Sequence, residues 1–230
     1  MALLGRYFGG SLSATRERRV LLTALSLALM LGYAIAIWLP PSAGWENSWI
    51  ENSQTLILLG GGLMAVQFSI VSRREGLPYA IRAFGMVFAP TWVLMAAREL
   101  SWGATFAAPV VVMPDGPFYS SSVLWYHEAI RPLVGIFAIA ALFFIARFRL
   151  DRLLWRLVRT RNFPSAEFTI LLFAAVGSTY ADGHLFGMPI VQTLQGHEIV
   201  LEEWMELVGY LALVMAQRHV FAALNGLHEG

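Results

Sequence analysis

Carboxylates and imidazoles gather at four places in this chain, and together they are the residues most able to do chemistry. The blocks are Arg98-Glu99-Leu100-Ser101-Trp102-Gly103, Trp125-Tyr126-His127-Glu128-Ala129-Ile130-Arg131-Pro132, Tyr180-Ala181-Asp182-Gly183-His184 and His197-Glu198-Ile199-Val200-Leu201-Glu202-Glu203-Trp204-Met205-Glu206. Glu203 and Glu206 are three residues apart, and Glu202 and Glu206 four, so each pair shares one face of a helix. In a continuous helix Glu206 lies roughly 13 Å along the axis from His197. Helix-dipole stabilisation accounts for carboxylates in a first turn, which covers Glu198 but leaves Glu206 too deep.

Oxygen and imidazole donors without thiolates suit Zn²⁺, Fe²⁺ or Mn²⁺, and the chain has no cysteine. The expected ligand set is Glu99, His127, His184, Glu203 and Glu206, with Zn²⁺ the leading metal. Glu99, Ser101, His127 and Arg131 form the expected catalytic group. A metal there would lower the pKa of bound water toward about 7, which fits hydrolysis of a lipid-like amide or ester. Arg131 or Arg98 would hold an anionic headgroup. The competing reading pairs the acids with those same two arginines. Arg98, immediately before Glu99, is expected to point about 100° away from it around the helix and so to meet an acid of another helix.

Several chemistries are excluded by what is missing. Without cysteine there are no disulfides, thiolate nucleophiles or iron–sulfur clusters. The sequence has no H-E-x-x-H zinc motif, no Ser-His-Asp order, no phosphate-cradling loop and no dinucleotide fingerprint. A net charge of +1 argues against nucleic acid as a partner.

The elements that must carry these groups are set by apolar length. Of 230 residues 57% are hydrophobic and 13% charged, against roughly 25% charged in a soluble domain, and the mean hydropathy is +0.61. About 20 apolar residues cross the hydrocarbon core as a helix. Six such segments fit, at about 20–39, 54–71, 79–97, 131–148, 165–180 and 199–221. The expected fold is therefore an all-α, polytopic membrane helical bundle. A basic segment (1–19) precedes a single transmembrane domain (20–224), and a short tail (225–230) follows. Every basic residue is an arginine, and all except Arg98 and Arg131 fall on one side of that layout. Positive charge stays on the cytoplasmic side, so both termini are expected in the cytoplasm and the acid-rich ends outside, as in a bacterial inner (plasma) membrane.

Connections add three expectations. Leu150, Leu153, Leu154, Leu157 and Val158 form a helical apolar stripe opposite Arg149, Arg152, Arg156 and Arg159. That pattern fits a cytoplasmic interfacial helix on anionic lipid, or a continuation of the preceding span. Gly60-Gly61-Gly62 would let a neighbouring helix come close. The proline-rich segment 103–123, with apolar Val110-Val111-Val112-Met113, would dip into the interface over a cavity or pack on a partner subunit.

Arg98-Glu99-Leu100-Ser101-Trp102-Gly103 resembles the Glu-Glu-Ile-Ser-Trp-Gly-Gln signature of a family of uncharacterised bacterial polytopic membrane proteins, departing from it at Arg98 and Ala104. That resemblance implies an acid before an early span, matched by Glu51, and an acidic pair opening a late span, matched by Glu202-Glu203 with Glu206. The arrangement is more distantly similar to the ceramidase-like membrane hydrolases, which hold zinc through histidine. Where they carry His-x-x-x-His, this chain has Glu203-x-x-Glu206. Besides hydrolysis, two functions fit the pattern. One is a non-catalytic subunit of a larger membrane complex, and the other a cation or proton transporter.

Overall fold

A computed structural model describes residues 12–113, 116–183, 194 and 196–229. In chain order the helices are α1 (Leu12–Met30), α2 (Gly32–Trp38), α3 (Trp49–Arg74), α4 (Tyr79–Glu99), α5 (His127–Arg147), α6 (Leu150–Arg159), α7 (Ser165–Ala181) and α8 (Glu198–Glu229). Among the described residues α3, α4, α5 and α8 are long and apolar enough to cross a bilayer. α1 and α2, bent by 62° at their junction, make a fifth if taken as one span. α7 is apolar but has only 17 residues. Each of the six expected segments thus contains a helix, and the first is broken.

Local chemistry explains several boundaries. Arg73 and Arg74 close α3, where cations suit the negative end of the helix dipole. Pro78 precedes α4 and Pro164 precedes α7, because the residue after a proline readily begins a helix while the proline itself ends what came before. Between α5 and α6, Arg149 adopts φ +52°. That left-handed residue turns the chain, so α6 is a separate helix rather than more of α5.

The core is built around α3, which packs along α4 and α8, with α7 lying along α8. Small residues set the first of these contacts. A Cβ on Gly61 would sit 2.8 Å from the Trp92 ring, and one on Gly62 3.3 Å from the Trp92 Cβ. Two of the three consecutive glycines are therefore consumed by packing within the chain; Gly60 faces open space. Toward the arginine-rich end, Phe68 stacks on Phe221 with ring centroids 4.0 Å apart, and Phe84 meets Phe221 edge-on.

The stripe on α6 belongs to this same core. Leu150 and Leu157 are fully buried, with Leu153 and Leu154 packed beside them. Its apolar side therefore caps the bundle's own interior, while Val158, Trp155, Asp151 and the basic face stay exposed. α5 is the opposite case. Leu133, Ile136, Ile139, Leu142 and Phe143 are all exposed, and Ile130 alone of its residues is buried.

One charged contact fastens the arginine-rich end. Arg18 of α1 donates from Nε and Nη2 to the two carboxylate oxygens of Glu167 at 2.7 and 2.8 Å. Glu167 has no solvent exposure and sits in the first turn of α7, where the helix dipole favours an anion. At the other end, β1 (Val111–Met113) pairs antiparallel with β2 (Gly116–Phe118). It is seated by the Tyr119 N–H, which donates to Glu46 at 2.5 Å, and by Gly116 against the Trp45 ring. Val110 to Met113 remain exposed.

Candidate functional site

Four helices bring polar groups to the acid-rich end. Glu51, Gln54 and Thr55 lie on one face of α3, at i, i+3 and i+4. Glu99 is the last residue of α4, Ser178 stands in the last turns of α7, and Glu203, Glu206 and Tyr210 follow one face of α8 at i, i+3 and i+7. Glu51, Gln54, Thr55, Glu99 and Ser178 are all buried.

The contacts are specific. Tyr210 Oη donates to Glu99 Oε1 at 2.8 Å and lies 3.3 Å from Glu206 Oε2. Ser178 Oγ donates to the other oxygen of Glu206 at 3.2 Å. The Gln54 amide nitrogen donates to both the main-chain oxygen and Oε2 of Glu203, each at 2.8 Å. The Asn47 N–H donates to Glu51. Two turns deeper, Trp92 Nε1 donates to Gln217 at 2.6 Å, and Gln217 in turn donates to the Gly61 carbonyl. Long side chains thus join α4 to α8 at two levels.

Electrostatically the region is lopsided. Glu51, Glu99, Glu203 and Glu206 are near enough to act on one another's charge. Arg98 is the cation beside them, with Nη1 3.8 Å from Glu99 Oε1, and its field reaches Glu206 and Glu203. The expectation that Arg98 would avoid Glu99 is corrected by this contact. An arginine stem is long enough to cancel a 100° offset, and at the end of α4 no further helical turn stands in the way. At 68% side-chain exposure Arg98 is still largely solvated, so it offsets only part of four carboxylates.

The remaining expected residues are placed unevenly. Ser101 and Trp102 have φ +44° and +60°, followed by Gly103 at +99°. This left-handed turn, whose Trp102 carbonyl accepts from Tyr126 Oη at 2.7 Å, lets the chain leave α4 immediately after Glu99. Non-glycine residues held this way cost on the order of 1–3 kcal/mol each and recur at functional sites. His127 is exposed, with Nδ1 bonded to the Leu124 carbonyl at 3.1 Å. Arg131 is also exposed, on α5. No described hydrogen bond or ion pair links either to Glu99. His184 lies outside the described residues. Among the described residues no three His, Asp or Glu side chains come together so as to hold one metal ion.

Gln54, Ser178 and Tyr210 were not anticipated, although a signal existed. Tyr210 continues the Glu203–Glu206 face at i+4, and Gln54 continues that of Glu51 at i+3. Neutral polar side chains on an apolar helix face are legible as buried polar groups; their partners are not.

The helices define an all-α protein with several spans' worth of apolar helix, the architecture of a multi-pass membrane protein. Beyond that class, the chain matches no protein-family model, no curated protein and no solved structure.

Proposed function

We propose that this chain is a multi-pass protein of a bacterial inner membrane that takes up and passes protons through Glu206, Tyr210 and Glu99, near the outward face. The observation that supports this is the Tyr210 hydroxyl placed between two carboxyl groups from different helices. A phenol has one hydrogen and can donate to one of them only. With that hydrogen on Glu99, the contact to Glu206 is satisfied when Glu206 is protonated and donates to Tyr210 Oη. Glu206 then gives its proton to Oη as Tyr210 passes its own to Glu99, and the chain of bonds reverses direction with no net change in atoms or charge.

The surroundings fit that role. Carboxyl groups inside a membrane helix are costly when charged and mark proton or ion paths. Ser178 holds the second oxygen of Glu206, and Arg98 Nη1 lies 3.8 Å from Glu99 Oε1 at the receiving end. Metal-dependent hydrolysis would instead need Glu99, Glu203 and Glu206 to share an ion with His127 or His184. The relay uses contacts already made.

The test is proton flux in vesicles reconstituted with the full chain and loaded with a pH-sensitive dye, under an imposed membrane potential. Wild type is expected to acidify or alkalinise the lumen according to the sign of the potential, and Tyr210→Phe to abolish the flux while folding normally. Equal flux in the variant, or none in wild type, overturns the reading.

A further inference from the structure

A second set of groups lies beside the relay, and the hydrogen-bond inventory there is incomplete in one direction. Gln54 has no solvent exposure. Its amide nitrogen faces two oxygens of Glu203, both acceptors. The amide cannot be turned over, because that would press its carbonyl against a carboxylate and a main-chain carbonyl. Gln54 Oε1 is therefore fixed as an acceptor held next to the Glu203 carboxylate, and it has no partner. Thr55 Oγ1, also buried, has none either. A helical threonine ordinarily donates to the carbonyl four residues back, so this hydroxyl is oriented away from its commonest bond. Glu51 stands on the same face of α3, and its charge acts on Glu203.

Glu51, Gln54 and Thr55 share one face of α3, the Gln54 amide is bonded to Glu203 of α8, and Arg98 is paired with Glu99 instead. Such a set offers oxygen ligands only. We infer that Glu51, Gln54 Oε1, Thr55 Oγ1 and Glu203 form a binding site for a hard divalent metal cation of the calcium type. All-oxygen donor sets select Mg²⁺, Ca²⁺ or Mn²⁺ over softer metals. Irregular mixtures of carboxylate, amide carbonyl and hydroxyl suit Ca²⁺, whose coordination is flexible, better than Mg²⁺, which demands a strict octahedron. The site goes beyond the proton relay, since none of these four groups belongs to Glu206, Tyr210 or Glu99.

The experiment is titration of the purified full-length chain in detergent with CaCl₂, and separately with MgCl₂ and NaCl, followed by calorimetry and thermal unfolding. One Ca²⁺ per chain and a rise in Tm are expected, with Mg²⁺ and Na⁺ at least tenfold weaker. Thr55→Val, which keeps the shape and removes only Oγ1, and Glu51→Gln are each expected to weaken Ca²⁺ binding tenfold or more without altering the metal-free Tm by more than a few degrees. Tyr210→Phe, which disables the relay, is expected to bind Ca²⁺ as wild type does. Loss of flux with intact Ca²⁺ binding, or the reverse, therefore separates the two readings. No Ca²⁺ binding, equal binding in Thr55→Val and Glu51→Gln, or tighter binding of Na⁺ than of Ca²⁺ overturns the inference.

Discussion

Tyr210 on α8 and Glu99 at the end of α4 are joined by a hydrogen bond of 2.8 Å, across helices whose backbones otherwise meet little. The pair ties the acid-rich end of the bundle together, as Trp92 and Gln217 do one level deeper. Replacing Tyr210 by Phe keeps the ring and removes only the bridge. Interhelical bonds of this kind in membrane proteins are worth about 0.5–2 kcal/mol. The variant is expected to fold, to unfold at modestly lower denaturant, and to lose proton flux entirely. Denaturation in detergent beside the flux assay checks both halves.

Gly61 tests how closely α3 and α4 must approach. A Cβ there meets the Trp92 ring at 2.8 Å, so Gly61→Val is expected to cost about 1–3 kcal/mol through overpacking. Gly60, which faces open space, should accept the same change with little loss. Thermal unfolding of the two variants distinguishes a glycine used inside the chain from one that is merely present.

The α6 stripe allows a sharper discrimination. Leu157 is fully buried in the bundle core, so Leu157→Ala is expected to destabilise by about 2–4 kcal/mol. Val158→Ala, at a position 45% exposed, should be nearly silent. If both were silent, the stripe would be facing lipid rather than protein.

Arg18 and Glu167 make a bidentate pair with one partner fully buried. Removing one charge leaves the other uncompensated, at a cost of about 3–5 kcal/mol for a wholly buried pair. Arg18 retains 34% side-chain exposure, so Arg18→Met is expected below that range, at about 2–3 kcal/mol. The double variant Arg18→Met/Glu167→Gln should recover part of that loss, because no unpaired charge remains. Unfolding midpoints of the two single variants and the double give the coupling directly.

Much of the architecture was legible along the chain. The length of each apolar run placed a helix in every expected segment, and the run Gly60-Gly61-Gly62 marked a close approach that Gly61 and Gly62 make and Gly60 does not. Sites of bending were less visible. α1 and α2 read as one continuous run, 20–39, because hydropathy measures burial length and carries no direction. The α6 stripe was visible as a stripe, but apolar periodicity is the same whether lipid or a neighbouring helix covers it.

The acids show the same division. Their spacing determined that Glu203 and Glu206 share a face, and the chain's charge bias that few arginines stand at that end of the molecule. Both are local consequences of a 3.6-residue turn and of charge bias. Only the tertiary structure decided that Tyr210 reaches Glu99, that Gln54 reaches Glu203, and that His127 lies at the surface beside Leu124. A helix's period specifies the direction of each side chain around its own axis. Which neighbour stands there depends on how the helices pack, through small residues such as Gly61 far along the chain from the groups they bring together.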